Sequence, residues 1–122
     1  MAGLFVPLVL IPRYTTYCGA NATSFTTVGM DVSEYEKAVV SFWRTAGMSV
    51  AGLQTITFEE SMDQLTWTTC AGGPFTDPGA LTEAQFQPEL TKRWFRVNVT
   101  LSVVGNGAIT CWCLGFLMQR ES

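Results

Sequence analysis

Histidine is absent from this 122-residue chain. Its absence removes the commonest general base, the commonest zinc ligand and the usual switch at physiological pH. Charge is also scarce, with 14% of residues charged against about 25% in an ordinary soluble domain. The net charge is −3 and the basic residues are scattered, apart from Lys92, Arg93 and Arg96, so no nucleic-acid footprint is visible. Long apolar runs are missing: the stretch over 4–12 is broken by Pro7 and Pro12 and is too short to cross a membrane. It has neither a basic start nor a small-residue cleavage site, so it does not read as a secretion signal. Helical periodicity is almost absent. Asp31 and Glu34 have the spacing of a helix cap, but the segment after them allows a single turn at most. No glycine-rich phosphate cradle precedes a helix, and no serine or cysteine has a histidine to activate it. The chain is therefore expected to be neither an enzyme nor a cofactor carrier, and no membrane or nucleic-acid partner is expected.

What remains is apolar and alternating. Apolar residues make up 48% of the chain, more than so few charges can cover on a lone globule, which points to apolar surface buried on a partner. Residues 36–44 alternate Ala38, Val40 and Phe42 against Lys37, Val39, Ser41 and Trp43. Residues 94–104 alternate Phe95, Val97, Val99 and Leu101 against Arg96, Asn98, Thr100 and Ser102. Both are half-buried strands. Gly105-Asn106-Gly107 has the chemistry of a tight hairpin. The return strand from Ile109 to Met118 is apolar on both faces, so its second face needs a cover. Ala80–Gln85 has room for a helical turn before Pro88, within the long irregular stretch 70–88. Short strands with turn signals every 8–12 residues describe an all-β chain: an antiparallel, jelly-roll-like β-sandwich of about 7–8 strands. Residues 13–122 form the single sandwich domain. Residues 1–12 form either an extended N-terminal arm on a neighbouring subunit or an edge strand of their own sheet.

Four cysteines, Cys18, Cys70, Cys111 and Cys113, match no metal spacing. Cys111 and Cys113 share a strand face and cannot readily pair with each other. A Cys18–Cys70 bridge is left open. Glu59, Glu60 and Asp63 could form a calcium site or a glycosidase-like carboxylate pair, but a solvated turn is the commoner use of such a cluster. Asp63 stands where a turn aspartate bonds its own backbone, with Arg93 or Arg96 as an ionic partner. Trp43, Trp67, Trp94 and Trp112 could stack on sugars, but aromatics on sandwich strands more often serve the core or an interface.

The segment Glu60-Ser61-Met62-Asp63-Gln64-Leu65-Thr66-Trp67 resembles the Ser-x-Asp-x-x-x-Trp turn of discoidin-like sandwich domains. Lys92-Arg93-Trp94-Phe95-Arg96-Val97 is similar to the arginine-rich strand that follows it there. The same pair resembles small structural proteins of tailed bacteriophages, the head decoration or cement proteins. That resemblance implies Ser61, Asp63, Trp67, Arg93 and Arg96 as a structural turn and strand pair. It also implies a capsid-surface protein made in the host cytoplasm, a homo-oligomer (a trimer as the first expectation) that bridges capsomers of a major capsid protein. The interface candidates are Leu4, Phe5, Val6, Leu8 and Leu10 on the arm and Trp112, Leu114 and Phe116 on the last strand. The alternative is a carbohydrate-binding module of a tail or adhesin, using the 70–88 loop and Trp67.

Overall fold

The computed structural model describes residues 5–20, 24–45, 48–50, 55–71, 75–76, 79–100 and 103–119, with backbone alone over 17–20, 48–50 and 103–108. The strands are β1 (Phe5–Ala20), β2 (Ser24–Thr26), β3 (Met30–Asp31), β4 (Tyr35–Arg44), β5 (Met48–Val50), β6 (Thr55–Ser61), β7 (Thr68–Thr69), β8 (Phe75–Thr76), β9 (Ala84–Phe86), β10 (Trp94–Thr100) and β11 (Val103–Gln119). They form two sheets. Sheet A runs β1-β11-β4-β9, with β5 also on β11; sheet B runs β2-β10-β6-β7, with β3 on β10 and β8 on β6.

The pairings are nested and antiparallel. β1 pairs with β11, β2 and β3 with β10, β4 with β9, and β6 with β7 and β8. The chain is thus one long hairpin, rolled so that β11 also lies on β4 and β10 on β6. This is a jelly-roll β-sandwich, as the alternation predicts. The tip of the long hairpin is the turn between Ser61 and Thr68.

The inner faces follow the predicted phase. Ala38, Val40 and Phe42 of β4 are buried, as are Ile56 and Phe58 of β6, Phe95, Val97 and Val99 of β10, and Ile109, Cys111, Cys113 and Leu117 of β11. Phe58 is the hub between the sheets. It stacks on Phe95 at 5.8 Å between centroids and meets Phe75 and Phe86 at 5.8 and 6.0 Å. Gly115 is required where β11 crosses the middle of sheet A, because a Cβ there would run into the backbone of Val39 and Val40.

Three expectations change. Gly105-Asn106-Gly107 is not a hairpin: Asn106 and Gly107 lie within β11, opposite Ala20 and Gly19 of β1. β10 belongs to the other sheet, so the chain crosses between sheets there, and glycine-rich backbone accepts the extended conformation as readily as a turn. Ala84–Phe86 is a strand rather than part of a helical turn, because Phe86 is drawn into the Phe58 cluster and Ala84 into register with Phe42. Residues 5–12 are the first half of β1, an edge strand of the chain's own sheet and not an arm on a neighbour. Leu8, Leu10 and Ile11 are buried in the core, and that burial decides between the two alternatives.

Candidate functional site

The turn and strand pair that carries the sequence resemblance is built as a structural lock. Ser61 Oγ accepts the Asp63 and Gln64 N–H groups at 3.1 and 2.8 Å. The Asp63 carboxylate accepts the N–H groups of Leu65 and Thr66 at 2.9 and 3.0 Å and the Ser61 hydroxyl at 3.0 Å. These bonds, led by that from Thr66, hold the Asp63 carboxyl below the usual carboxylate range. Asp63 therefore bonds its own turn, as expected, but takes neither Arg93 nor Arg96. Arg96 reaches Glu59 at 2.8 Å, and Arg93 reaches Asp31 at 3.1 Å. Register explains this, since Arg96 lies directly opposite Glu59 and Trp94 opposite Asp31.

The carboxylate cluster is dispersed by the pleat. Glu59 points out to Arg96, whereas Glu60 points inward and is buried. Glu60 accepts the N–H groups of Thr91 and Lys92 at 2.8 and 3.1 Å and the Thr91 hydroxyl at 2.7 Å, pinning the chain just before β10. No group of three potential ligands converges on a metal position among the described residues. Trp67 carries the Arg96 guanidinium over its ring at 4.0 Å and donates its indole N–H to Gln64 O at 3.2 Å. A Cβ on Gly29 would stand only 3.0 Å from its ring edge. The tryptophan proposed as a sugar platform is thus covered on one face by its own arginine.

The thiols are core groups. Cys70, Cys111 and Cys113 are free and buried; the pairing with Cys18 left open by the sequence involves a side chain outside the described residues. Burial pushes Cys70 up to about 12 and Cys111 to about 11, and it raises Cys113 further. Thiols held protonated in this way are poor nucleophiles and poor ligands.

The unusual surface is the outer face of sheet A. Successive rows across the sheet read Pro7–Phe116–Val39, Val9–Leu114–Ser41 and Trp112–Trp43. Phe5 and Phe116 meet edge to face at 6.4 Å and remain 59% and 51% exposed, and Val9 is 51% exposed. At one end the Trp43 and Trp112 rings lie nearly parallel at 6.3 Å. A bulge in β1 delivers the cover for this pair. The register slips between Ile11 and Thr15, with Tyr14 at a φ of 57° and the Thr15 hydroxyl donating to Pro12 O at 2.7 Å. The left-handed Tyr14 costs on the order of 1 kcal/mol. It allows Arg13 to lie over Trp112 at 4.5 Å and Tyr14 to abut Trp43 at 5.8 Å. A cleft of about 300 Å³ opens beside them, between Arg13 and Glu83.

The predicted interface residues divide accordingly. Phe5, Leu114 and Phe116 are on this outer face, and Trp112 is there too, although buried under Arg13. Leu8 and Leu10 are core, because the alternation of an edge strand sends them inward. Val6 is half-buried opposite Leu117 and follows the same inward phase. Leu4 lies outside the described residues. Sequence reasoning missed Val9, Arg13, Tyr14 and Glu83 as members of the face. Only Pro12, a residue unsuited to a regular strand, hints at the bulge that places Arg13 and Tyr14.

No family model matches the sequence, and no curated protein matches it. The fold is similar to that of the PBSX exported protein XepA, with a TM-score of 0.61 and 18% identity over 96% of this chain. The chain spans 38% of the length of that protein. It is also similar to a chain of the disulfide-linked pili that form Bacillus endospore appendages, with a TM-score of 0.50 and 15% identity over 98% of this chain and 95% of that one. Dimeric latent PorU from Porphyromonas gingivalis matches at a TM-score of 0.50 and 12% identity, over 99% of this chain and 13% of that one. At such identities the likeness is one of fold.

Proposed function

We propose that this chain is a non-enzymatic virion structural protein, a decoration or cement protein that oligomerises and bridges capsomers of a major capsid protein on the particle surface. The observation that carries this reading is the outer face of sheet A, where Phe5, Val9, Leu114 and Phe116 form an apolar field with too little charge to be a solvated surface. Fields of this kind mark assembly surfaces. Each subunit hides this field in assembly and presents its polar loops and second sheet to the shell. Repetition over a lattice makes modest contacts hold collectively. The fold is one also found in the PBSX exported protein XepA, and that likeness adds the fold alone.

The carbohydrate-binding alternative used Trp67, whose ring face is already occupied by Arg96. Deleting residues 1–12 is no test of an arm, because it would remove Leu8, Leu10 and Ile11 from the core. The test is quantitative mass spectrometry and electron microscopy of gradient-purified particles from cells producing the full chain. The expected result is many copies per particle, ordered on the outer shell, and particles that lose thermal stability when the protein is stripped. Purified particles lacking the protein would overturn the proposal.

A further inference from the structure

We infer that the occupant of this face is a second copy of the chain, packed sheet A to sheet A about a two-fold axis parallel to the strands. Arg13 of each copy then faces Glu83 of the other. The inference rests on the assembly role proposed above and names the partner and the pairing.

One row crosses the sheet at its aromatic end. Trp112 pairs with Trp43, and Arg13 lies over Trp112 on the β1 side. Beyond β4, Phe42 pairs with Ala84, so Glu83 continues the register beside Trp43. Arg13 and Glu83 therefore stand at the two edges of one sheet, in the same row, at opposite sides of the cleft they share. Among the described residues neither has an ion-pair partner.

A two-fold axis parallel to the strands, midway between β11 and β4, lays β1 of one copy over β9 of the other. This single operation places both opposite-charge pairs at once, as an isologous interface requires. The strands stay aligned, as in sandwich packing with sheets roughly 10 Å apart, a gap that an arginine and a glutamate can bridge. A two-fold axis across the strands would instead set β1 on β1 and bring the two Arg13 side chains together. Face-to-face packing closes with two copies, so a dimer replaces the trimer first expected. Edge-to-edge pairing is the poorer route, since β1 carries Pro7, Pro12 and the bulge at its free edge.

The size of the face sets the strength of association. Three strands about 4.8 Å apart over seven or eight residues, with the three residues of β9 beside them, present roughly 400 Å². A standard interface buries about 800 Å² per partner, so the dimer is weak and dependent on concentration.

Sedimentation velocity over a concentration series, with the full chain, tests the pairing. The expected result is a monomer–dimer equilibrium in wild type. Arg13→Glu and Glu83→Arg should each raise the dissociation constant by at least about tenfold through like-charge contact. The double exchange should return it to within about threefold of wild type. Both side chains are exposed, and matching far-UV spectra and melting curves confirm that the variants fold. A wild type that stays monomeric throughout, single reversals without effect, or a double exchange that rescues nothing would each overturn the inference. If the wild type is monomeric and Phe116→Ser nevertheless releases it from particles, the shell itself covers this face; the pairing then fails while the proposed function stands.

Discussion

On the outer face of sheet B, Thr55, Thr57 and Glu59 of β6 lie across from Thr100, Asn98 and Arg96 of β10. On the outer face of sheet A, the corresponding central strands set Val39, Ser41 and Trp43 across from Phe116, Leu114 and Trp112. Both sheets cover the same core with the same alternation, so the difference lies wholly in what each shows to the outside. Sheet B pairs its outer charges within the chain: Arg96 pairs with Glu59 and covers Trp67, Arg93 pairs with Asp31, and Lys92 donates to Thr68 at 2.9 Å, while Asn98 Oδ1 is the exception, buried without a hydrogen-bond partner. Sheet A leaves an aromatic ladder half-exposed and two opposite charges apart. A face completed by its own chain serves stability, whereas a face left incomplete serves a partner. Substitutions on the two sides should separate along that line.

The largest effect belongs to the network that closes sheet B. Glu60→Ala strands the N–H groups of Thr91 and Lys92 at a partly buried site, and about 2–3 kcal/mol of stability should be lost. Urea denaturation measures it; a loss below about 1 kcal/mol would mean that water replaces the carboxylate and that the network is not closed.

Arg96→Ala comes next. It removes a partly buried ion pair and the cation–π contact to Trp67, together worth about 1–2 kcal/mol. Arg96→Lys should recover only part of this, because an ammonium cannot both lie flat on the indole and reach Glu59. Full recovery with lysine would reduce the contact to simple charge pairing.

A smaller effect, dependent on pH, is expected at Asp63. Its folded-state pKa is lowered, chiefly by the Thr66 N–H, so its contribution to stability is present above the unfolded value near 3.8 and fades as pH falls through the folded value. Asp63→Asn should thus be less stable than wild type at neutral pH, and the two should converge in acid. Thermal melts from pH 7 down to pH 2 provide the check, and a gap that stays undiminished across the series would mean the turn depends on geometry rather than on the carboxylate charge.

The sequence made one half of this comparison far more legible than the other. Strand phase could be read directly, since the alternations over 36–44 and 94–100 name the buried residues. The Ser61–Trp67 turn was readable because serine and aspartate act on their immediate backbone. The apolar second face of 109–118 was visible as well, and with it the need for a cover. Hidden were the features that depend on distant segments. β11 pairs with a strand about a hundred residues away rather than with its neighbour in sequence. Arg96 finds Glu59 instead of Asp63 because register, not sequence motif, sets the distance. Arg13 reaches Trp112 only because β1 slips by a bulge, a backbone event with no signal beyond a proline.

The smallest effect on stability is the most informative for function. Phe116 is the central aromatic of the sheet A face and remains half-exposed against Phe5 and Val39. Phe116→Ser removes a side chain that the folded chain barely uses, so the unfolding free energy should stay within about 0.5 kcal/mol of wild type, with the denaturant slope unchanged. Association should nonetheless weaken markedly, because in the paired state this ring would lie near the middle of the buried field, where aromatic anchors carry most of the binding. Measured side by side, Arg96→Ala should lower stability and spare association, and Phe116→Ser should do the reverse. If Phe116→Ser instead destabilises the monomer as strongly as Arg96→Ala, the ring belongs to the chain's own packing and the distinction between the two faces collapses.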